Sequence, residues 1–399
     1  VSVTQKNKTG IKRYKDYTPK VVRRGEGSLA QVYRPMRFAE LHGPNMIAGD
    51  AIARQLVRHD GVLAQRVWLI SGQPGTGKTS LAMIIAMSMN CLDPQPSKRY
   101  GGDIEPCLQC RSCRSIMRRG LISKHFAFLY YDVASMRKED IVNVIKEDMT
   151  TSSSLEGRYK FIVFEEAHNL TKQQREALLK PVENTLSRVF VMFLTAEPGK
   201  LADSMALRGR VSHLQISTWQ SEDLLHVMKD IAWNEHKNGF PYVELEGLKF
   251  IMRAAEYDVR VALSNLNLVM ESIKPSKEGC ITATAMKDIV AGPVGDTTTF
   301  TKYMWALVDG KALAAFNILD KEFDRKQGVD ARSIAMAAVK FLRRQVYKEI
   351  RNRNTKRAYR YMRQLKAFND GFWGRDADPY SALTAATFAA LEAGGYIKV

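Results

Sequence analysis

The sequence predicts an α/β unit built on a parallel sheet, followed by two all-helical units. Three observations predict it. Short apolar, β-branched runs alternate with amphipathic stretches from Val32 to about Ile216, only helical patterns follow, and a break at Gly292-Pro293 separates two helical regions. Runs that are apolar at successive positions suit strands covered on both faces. Their alternation with helical patterns argues for α/β architecture.

The apolar runs are Val67–Ser71, His125–Tyr131, Lys160–Phe164 and Val189–Leu194. Helical periodicity is clearest from Asp223 to Lys237 and from Val259 to Ile273, with a turn expected near Asn352-Arg-Asn-Thr355 in the last region. Residues 1–30 lack periodicity and read as a basic flexible tail. Residues 31–217 then form the α/β domain, 218–292 a helical lid, and 293–399 a helical C-terminal domain. With 399 residues, the chain is long enough for several cores. Hydrophobic residues make up 45% and charged residues 26%, ordinary proportions for a globular protein. No uninterrupted apolar run has membrane-spanning length and no secretory h-region opens the sequence, so the expectation is a cytoplasmic protein with no membrane partner.

The segment Gly72, Gln73, Pro74, Gly75, Thr76, Gly77, Lys78, Thr79 satisfies G-x-x-x-x-G-K-[ST], with a strand run before it and a helical run after it. Its glycines let backbone N–H groups wrap an anion at a helix start, to which Ser80 also belongs. Lys78 is expected on the β- and γ-phosphates of ATP, and the Thr79 hydroxyl on Mg²⁺. Downstream, Glu165 and Glu166 follow a strand run, where such a site holds Mg²⁺ (Glu165) and polarises the attacking water (Glu166). Thr195 ends the next run and could help position that water.

Cys91, Cys107, Cys110 and Cys113 follow the phosphate-loop helix in the pattern C-x15-C-x2-C-x2-C. Two C-x2-C steps sharing a cysteine, with a fourth one loop away, fit a closed tetrahedral Cys₄ site for structural Zn²⁺. Residues 92–106 look too irregular to order themselves, which suits a metal staple. Disulfide pairing is the alternative, and a reducing compartment disfavours it. Cys280 stands alone and reads as a small apolar residue.

The net charge of +18 is concentrated at two places. Residues 1–30 carry eight cations against two acids, and residues 340–366 carry eleven against Glu349 alone. Each segment reads either as a polyanion-binding element or as a solvated tail or helix face. In the second segment Tyr347, Tyr359 and Tyr361 are interleaved with arginines, a pattern open to nucleic acid or to an acidic partner.

Taken in order, these features resemble the AAA+ gamma/tau ATPase subunit of bacterial DNA polymerase III, a replicative clamp loader, and more distantly the small subunits of replication factor C. Arg34-Pro-Met-Arg-Phe38 with Leu41 and Gly43 resembles that family's opening R-P-x-x-F-x-x-L-x-G, and the four cysteines sit where it carries a zinc module, here residues 91–113. Asp132-Val-Ala-Ser135, Glu165-Glu-Ala-His168, Ala177-Leu-Leu-Lys180 with Glu183, Leu194-Thr195, and Arg260-Val-Ala-Leu263 resemble its later motifs.

The resemblance implies an AAA+ domain, a lid and a collar domain. It implies an ATPase that opens a sliding clamp and places it on primer–template DNA. The partners it implies are other loader subunits in a five-subunit spiral, the sliding clamp, the DNA, and a replicative polymerase or single-strand binding protein. By this resemblance Arg260 touches the γ-phosphate from the lid, and Arg210 reaches a neighbouring subunit's ATP, with Arg208 the competitor for that role. Ser135, Arg137, Lys138, Thr171, Lys172 and Gln173 occupy the positions that face duplex phosphates.

Two departures stand out. Glu165 replaces the family's aspartate, and Gly209-Arg210-Val211 replaces its S-R-C. They would suit a phage-encoded member working in an infected bacterial cell. Another DNA-dependent AAA+ motor, such as a helicase loader or branch-migration motor, and a non-hydrolysing structural subunit are the other readings.

Overall fold

The computed structural model describes residues 5–6, 12–13, 27–117, 127–136, 141, 143–144, 147–149, 158–202, 209–276, 279–286, 289–290, 297–324, 331–373 and 379–397. These fall into two compact units, residues 1–252 with 256–282, and residues 253–255 with 283–399.

The first unit is built on a five-stranded, fully parallel sheet. Its strands are β1 (Val67–Ser71), β2 (Phe128–Asp132), β3 (Lys160–Glu165), β4 (Val189–Thr195) and β5 (Ser212–Gln215), in the spatial order β2-β3-β4-β1-β5. Helix α1 (Gly43–Arg58) precedes β1, and α2 (Lys78–Asn90) follows it. The central strands are apolar at every position except their ends, because both faces are covered. Trp68, Ile70, Phe161, Val163, Phe190, Met192 and Leu194 pack with α1 and α2 on one side. Val67, Leu69, Ile162, Phe164, Val189, Val191 and Phe193 face a second core that includes Leu178 of α3 (Lys172–Glu183). Stacked rings tie neighbouring strands on both sides, Phe161 on Phe190 at 5.2 Å and Phe164 on Phe193 at 5.4 Å.

The four strands expected from apolar runs are present, with boundaries shifted by a residue or more in three. Strand β5 was not among them. It is an edge strand whose alternate residues are only half-buried, the others being exposed, so Ser212-His-Leu-Gln215 shows no apolar run. Residues 92–106 also differ from expectation. They contain a short antiparallel ladder, Gln95–Pro96 with Asp103–Glu105, turned through Gly101 and Gly102 at φ of 71° and 67°.

After the sheet come α4 (Ser221–Lys237) and α5 (Val259–Ser272). The lid segment was expected to be purely helical, but Tyr242–Val243 and Cys280–Ile281 add a two-residue parallel ladder. Cys280 is fully buried there, as a small apolar residue should be.

The second unit is helical. It contains α6 (Thr297–Val308), α7 (Ala331–Arg351), α8 (Thr355–Trp373) and α9 (Pro379–Ala393), and the expected turn lies between α7 and α8. Tyr303, Leu307, Ile334, Leu342, Phe368 and Leu391 fill its core, and the buried hydroxyls of Tyr303 and Thr387 meet at 2.7 Å. Gly371 lets α8 approach α9 closely, since a β-carbon there would lie 3.0 Å from the Ala386 Cα. Among the described residues no helix is long and apolar enough to cross a membrane.

Candidate nucleotide site and cysteine cluster

Parallel strands all end at one edge of a sheet, and that edge is where α/β proteins collect their chemistry. Here Ser71 pairs with Thr195 and Asp132 with Glu165, so the ends of β1 to β4 lie side by side. The phosphate-loop candidate leaves β1 and enters α2 at that edge. Gly75 and Gly77 hold φ of 76° and 86°, a conformation that costs glycine nothing. Side chains are excluded for a second reason: a β-carbon on Gly77 would lie 2.2 Å from Asn45 Nδ2, and one on Gly75 2.8 Å from the Asp258 carboxylate. Gly72 is equally confined, with the Ile216 carbonyl 2.7 Å from its would-be β-carbon. Gln73 accepts through its carbonyl from the Thr76 hydroxyl at 2.8 Å. Pro74 continues the loop, and Ser80 is buried in the first turn of α2.

Lys78 is 6% exposed and its ammonium donates to the carbonyls of Gly72 at 2.9 Å and Gln73 at 3.2 Å. Burial holds its pKa below the usual lysine range, opposed by the nearby charges of Glu166 and Glu165 and reinforced by Arg260. The Thr79 hydroxyl donates to Glu165 Oε1 at 2.7 Å, and the Tyr130 hydroxyl also donates to that carboxylate. Thus the two expected Mg²⁺ ligands meet. The donor set of a hydroxyl and a carboxylate beside a lysine suits a hard cation carrying phosphate oxygens.

Glu166 sits at φ 51°, a strained setting for a non-glycine residue and one common at functional sites. Its carboxylate lies 3.4 Å from His168 Nδ1, and the same nitrogen is 3.2 Å from Thr195 Oγ1. Thr195 is fully buried, and its hydroxyl also accepts from the Glu197 backbone N–H at 3.0 Å. In the sequence His168 closes the Glu165-Glu-Ala-His168 motif, with no role assigned to it. Its signal, an imidazole two positions beyond an acid pair, was present. Its cross-strand partner was not visible in one dimension.

A pocket of about 100 Å³ adjoins the loop, lined in part by Tyr33, Arg34, Pro35, Asn45, Trp219 and Arg260. Asn45 Oδ1 and Trp219 Nε1 are buried with no hydrogen-bond partner among the described residues, so both are available to a polar ligand. Neither residue was singled out from the sequence. Arg260 is exposed in the first turn of α5, whose N-cap Asp258 accepts from the backbone N–H groups of Arg260 and Val261 at 2.7 and 3.2 Å. Loop, acid pair and Arg260 are thereby brought together.

The remaining sequence candidates lie elsewhere. Arg210 is ion-paired with Glu183, its Nε donating to Oε1 at 2.6 Å. Arg208, Arg137 and Lys138 lie outside the described residues. Ser135 is exposed, with its hydroxyl donating to the Asp132 carbonyl at 3.0 Å. Thr171 is engaged as the N-cap of α3 in a reciprocal capping box with Gln174, while Lys172 and Gln173 are exposed in the first turn.

The four cysteines converge: their sulfurs all lie within 4.8 Å of one another, and Cys91 and Cys113 are 3.6 Å apart. That separation is far beyond a disulfide bond and matches the sulfur spacing around a tetrahedral zinc with ~2.3 Å Zn–S bonds. Backbone N–H groups of Cys107, Cys110 and Cys113 donate to cysteine sulfurs at 3.2–3.4 Å. Burial pushes the Cys110 thiol up, but hydrogen bonds from the backbone of Leu92 and Cys113 and from the Cys113 and Cys107 side chains outweigh it and hold the pKa at about 7. The cluster is compatible with a structural zinc.

The opening segment serves this cluster as well. Arg37 donates to the carbonyls of Pro106 at 3.1 Å and Cys107 at 3.3 Å. In return, the Glu105 carboxylate accepts from the backbone N–H groups of Phe38 and Ala39 at 2.9 and 3.1 Å. The R-P-x-x-F motif and the cysteine insertion are two halves of one contact.

Fold and site together define a parallel α/β sheet that carries a phosphate-loop motif at its strand-end edge, followed by a helical C-terminal region. Residues 57–219 match the family described as "DNA polymerase III, delta subunit". The chain is 27% identical over 249 residues to the DNA polymerase III subunit gamma of Buchnera aphidicola, covering 62% of each chain. It is 30% identical over 240 residues to the DNA polymerase III subunit tau of Escherichia coli, covering 59% of this chain and 33% of that one. The chain therefore spans between a third and three-fifths of these relatives' lengths. Among solved structures, a RuvB variant of Thermotoga maritima aligns over 76% of this chain and 85% of its own, at 17% identity and a TM-score of 0.46. The likeness to the gamma/tau AAA+ subunits of clamp loaders, read first from the motifs, is borne out.

Proposed function

We propose that this chain is the ATPase subunit of a replicative clamp loader, which opens a sliding clamp and places it on primer–template DNA. One observation carries the reading: a complete phosphate-loop site, with Thr79 bonded to Glu165 at 2.7 Å and Glu166 beside it, in a chain similar to the gamma and tau subunits.

In this reading the backbone N–H groups from Gly75 to Thr79, with Lys78, bind the phosphates of ATP, and Thr79 and Glu165 hold Mg²⁺. When bound there, Mg²⁺ would neutralise phosphate charge. Glu166 takes the proton of a water that attacks the γ-phosphorus as the bond to the leaving ADP oxygen breaks. His168 connects Glu166 to Thr195 and fixes where that carboxylate points. Arg260 contacts the γ-phosphate, and Arg210 leaves Glu183 to reach a neighbouring subunit's nucleotide, which makes turnover depend on assembly. The partners are other loader subunits, the clamp and primed DNA, with Ser135, Thr171, Lys172 and Gln173 facing duplex phosphates. The cysteine cluster holds a structural zinc.

A subunit that binds ATP without turning it over is the second reading. Its support is Glu165, whose carboxylate is already shared by Thr79 and Tyr130. The direct test is loading of a purified sliding clamp onto primed circular DNA by the reconstituted complex. Loading that needs ATP and is lost with Lys78→Ala supports the proposal. Undiminished loading by that variant contradicts it.

A further inference from the structure

The hairpin of α7 and α8 carries a surface with no part in the nucleotide site. All eleven cations between residues 340 and 366 are exposed, while Glu349, the one acid among them, is buried. A solvated helix face of the ordinary kind interleaves opposite charges three or four residues apart. Here Lys340, Arg343, Arg344, Tyr347 and Arg351 follow one face of α7, and Tyr359, Arg363 and Lys366 follow one face of α8. Among the described residues Arg343, Arg344, Lys348, Arg351, Arg363 and Lys366 form no ion pair. Such one-signed charge repels itself and is relieved by a polyanion.

Charge is half of the surface. Tyr347 is 62% exposed and Tyr359 60%, with Ile350 and Met362 also exposed between the cations. Tyr361, grouped with them on sequence spacing, is 8% exposed and belongs to the core. A groove lined by Arg344, Tyr347, Lys348, Arg351 and Asn352 runs at the end of α7.

We propose that this hairpin binds single-stranded nucleic acid, the arginines and lysines tracking its phosphates and Tyr347 and Tyr359 stacking its bases. Duplex DNA presents phosphates but hides its base faces, so it would leave the exposed rings unused. A single strand offers both chemistries, and stacking platforms along a basic track are how such strands are held without sequence preference.

The test is fluorescence anisotropy with the full chain, free of nucleotide, against labelled oligo-dT of 30 nucleotides and a duplex of equal length. The double variant Tyr347→Ala/Tyr359→Ala should weaken oligo-dT binding by about tenfold or more and leave duplex binding unchanged. Tyr347→Phe/Tyr359→Phe, which keeps the rings, should bind as the parent does. The triple variant Arg344→Gln/Lys348→Gln/Arg351→Gln should flatten the salt dependence of oligo-dT binding by about two in log–log slope. Both tyrosines are exposed, so thermal unfolding should not move. Unchanged oligo-dT affinity in the alanine variant would overturn the proposal, as would equal losses for strand and duplex. An acidic peptide that outcompetes oligo-dT at this face would assign the surface to a protein partner instead.

Discussion

Glu165 departs from the aspartate that the family places at the end of this strand, and the structure shows how its longer side chain is accommodated. The carboxylate reaches Thr79 at 2.7 Å and also accepts from Tyr130. Glu166 remains in place beside it, held in a left-handed backbone turn. Replacing Glu166 with glutamine should preserve ATP binding and reduce hydrolysis by ~10²-fold or more. Equilibrium binding of a fluorescent ATP analogue together with steady-state phosphate release separates the two effects. Lys78→Ala should instead lose nucleotide binding itself, and an unchanged affinity in that variant would remove the phosphate-loop assignment. The loop was legible in the sequence because its chemistry is contiguous: one strand, one turn and one helix start. Tyr130, Asn45, Trp219 and the His168 link were not, since each arrives from a distant segment through folding.

At the scale of elements, the cysteine insertion and the opening segment depend on each other. Arg37 grips the carbonyls on either side of the Pro106–Cys107 bond, and Glu105 receives two backbone N–H groups and the Ser97 hydroxyl. Glu105→Ala should destabilise the first unit by on the order of 3 kcal/mol, because buried donors lose their acceptor. Chemical denaturation followed by tryptophan fluorescence reads this, and a loss under about 0.5 kcal/mol would refute the contact. Chelation of the metal should likewise lower the melting temperature and release about one zinc per chain. A fully folded, metal-free preparation would exclude the zinc. Strands β1, β3 and β4 were legible because both their faces are buried, and edge strand β2 because Phe128-Leu-Tyr-Tyr131 is an unbroken apolar and aromatic run although mostly half-buried. Edge strand β5 was not, because an alternating four-residue segment carries no apolar signal. The Gln95–Glu105 ladder was hidden for a related reason: its residues are ordered by neighbours rather than by their own pattern.

Across the whole molecule, the net charge of +18 resides largely in two segments, residues 1–30 and 340–366. The sequence located that charge but left its meaning open. Only the helical pairing of α7 and α8 separates the exposed Tyr347 and Tyr359 from the buried Tyr361. Association with any polyanion should fall steeply with salt, as counterion release requires. The proposed function turns on ATP hydrolysis that depends on assembly. Its most direct test is steady-state ATP hydrolysis by the purified chain, alone and with loader partners, with and without primer–template DNA and a sliding clamp. The expected result is slow turnover by the chain alone and a sharp rise when DNA and clamp are both present. Turnover driven by DNA and indifferent to the clamp would contradict it and point to a translocating motor. ATP binding without turnover in every mixture would contradict it in the other direction, leaving a structural subunit.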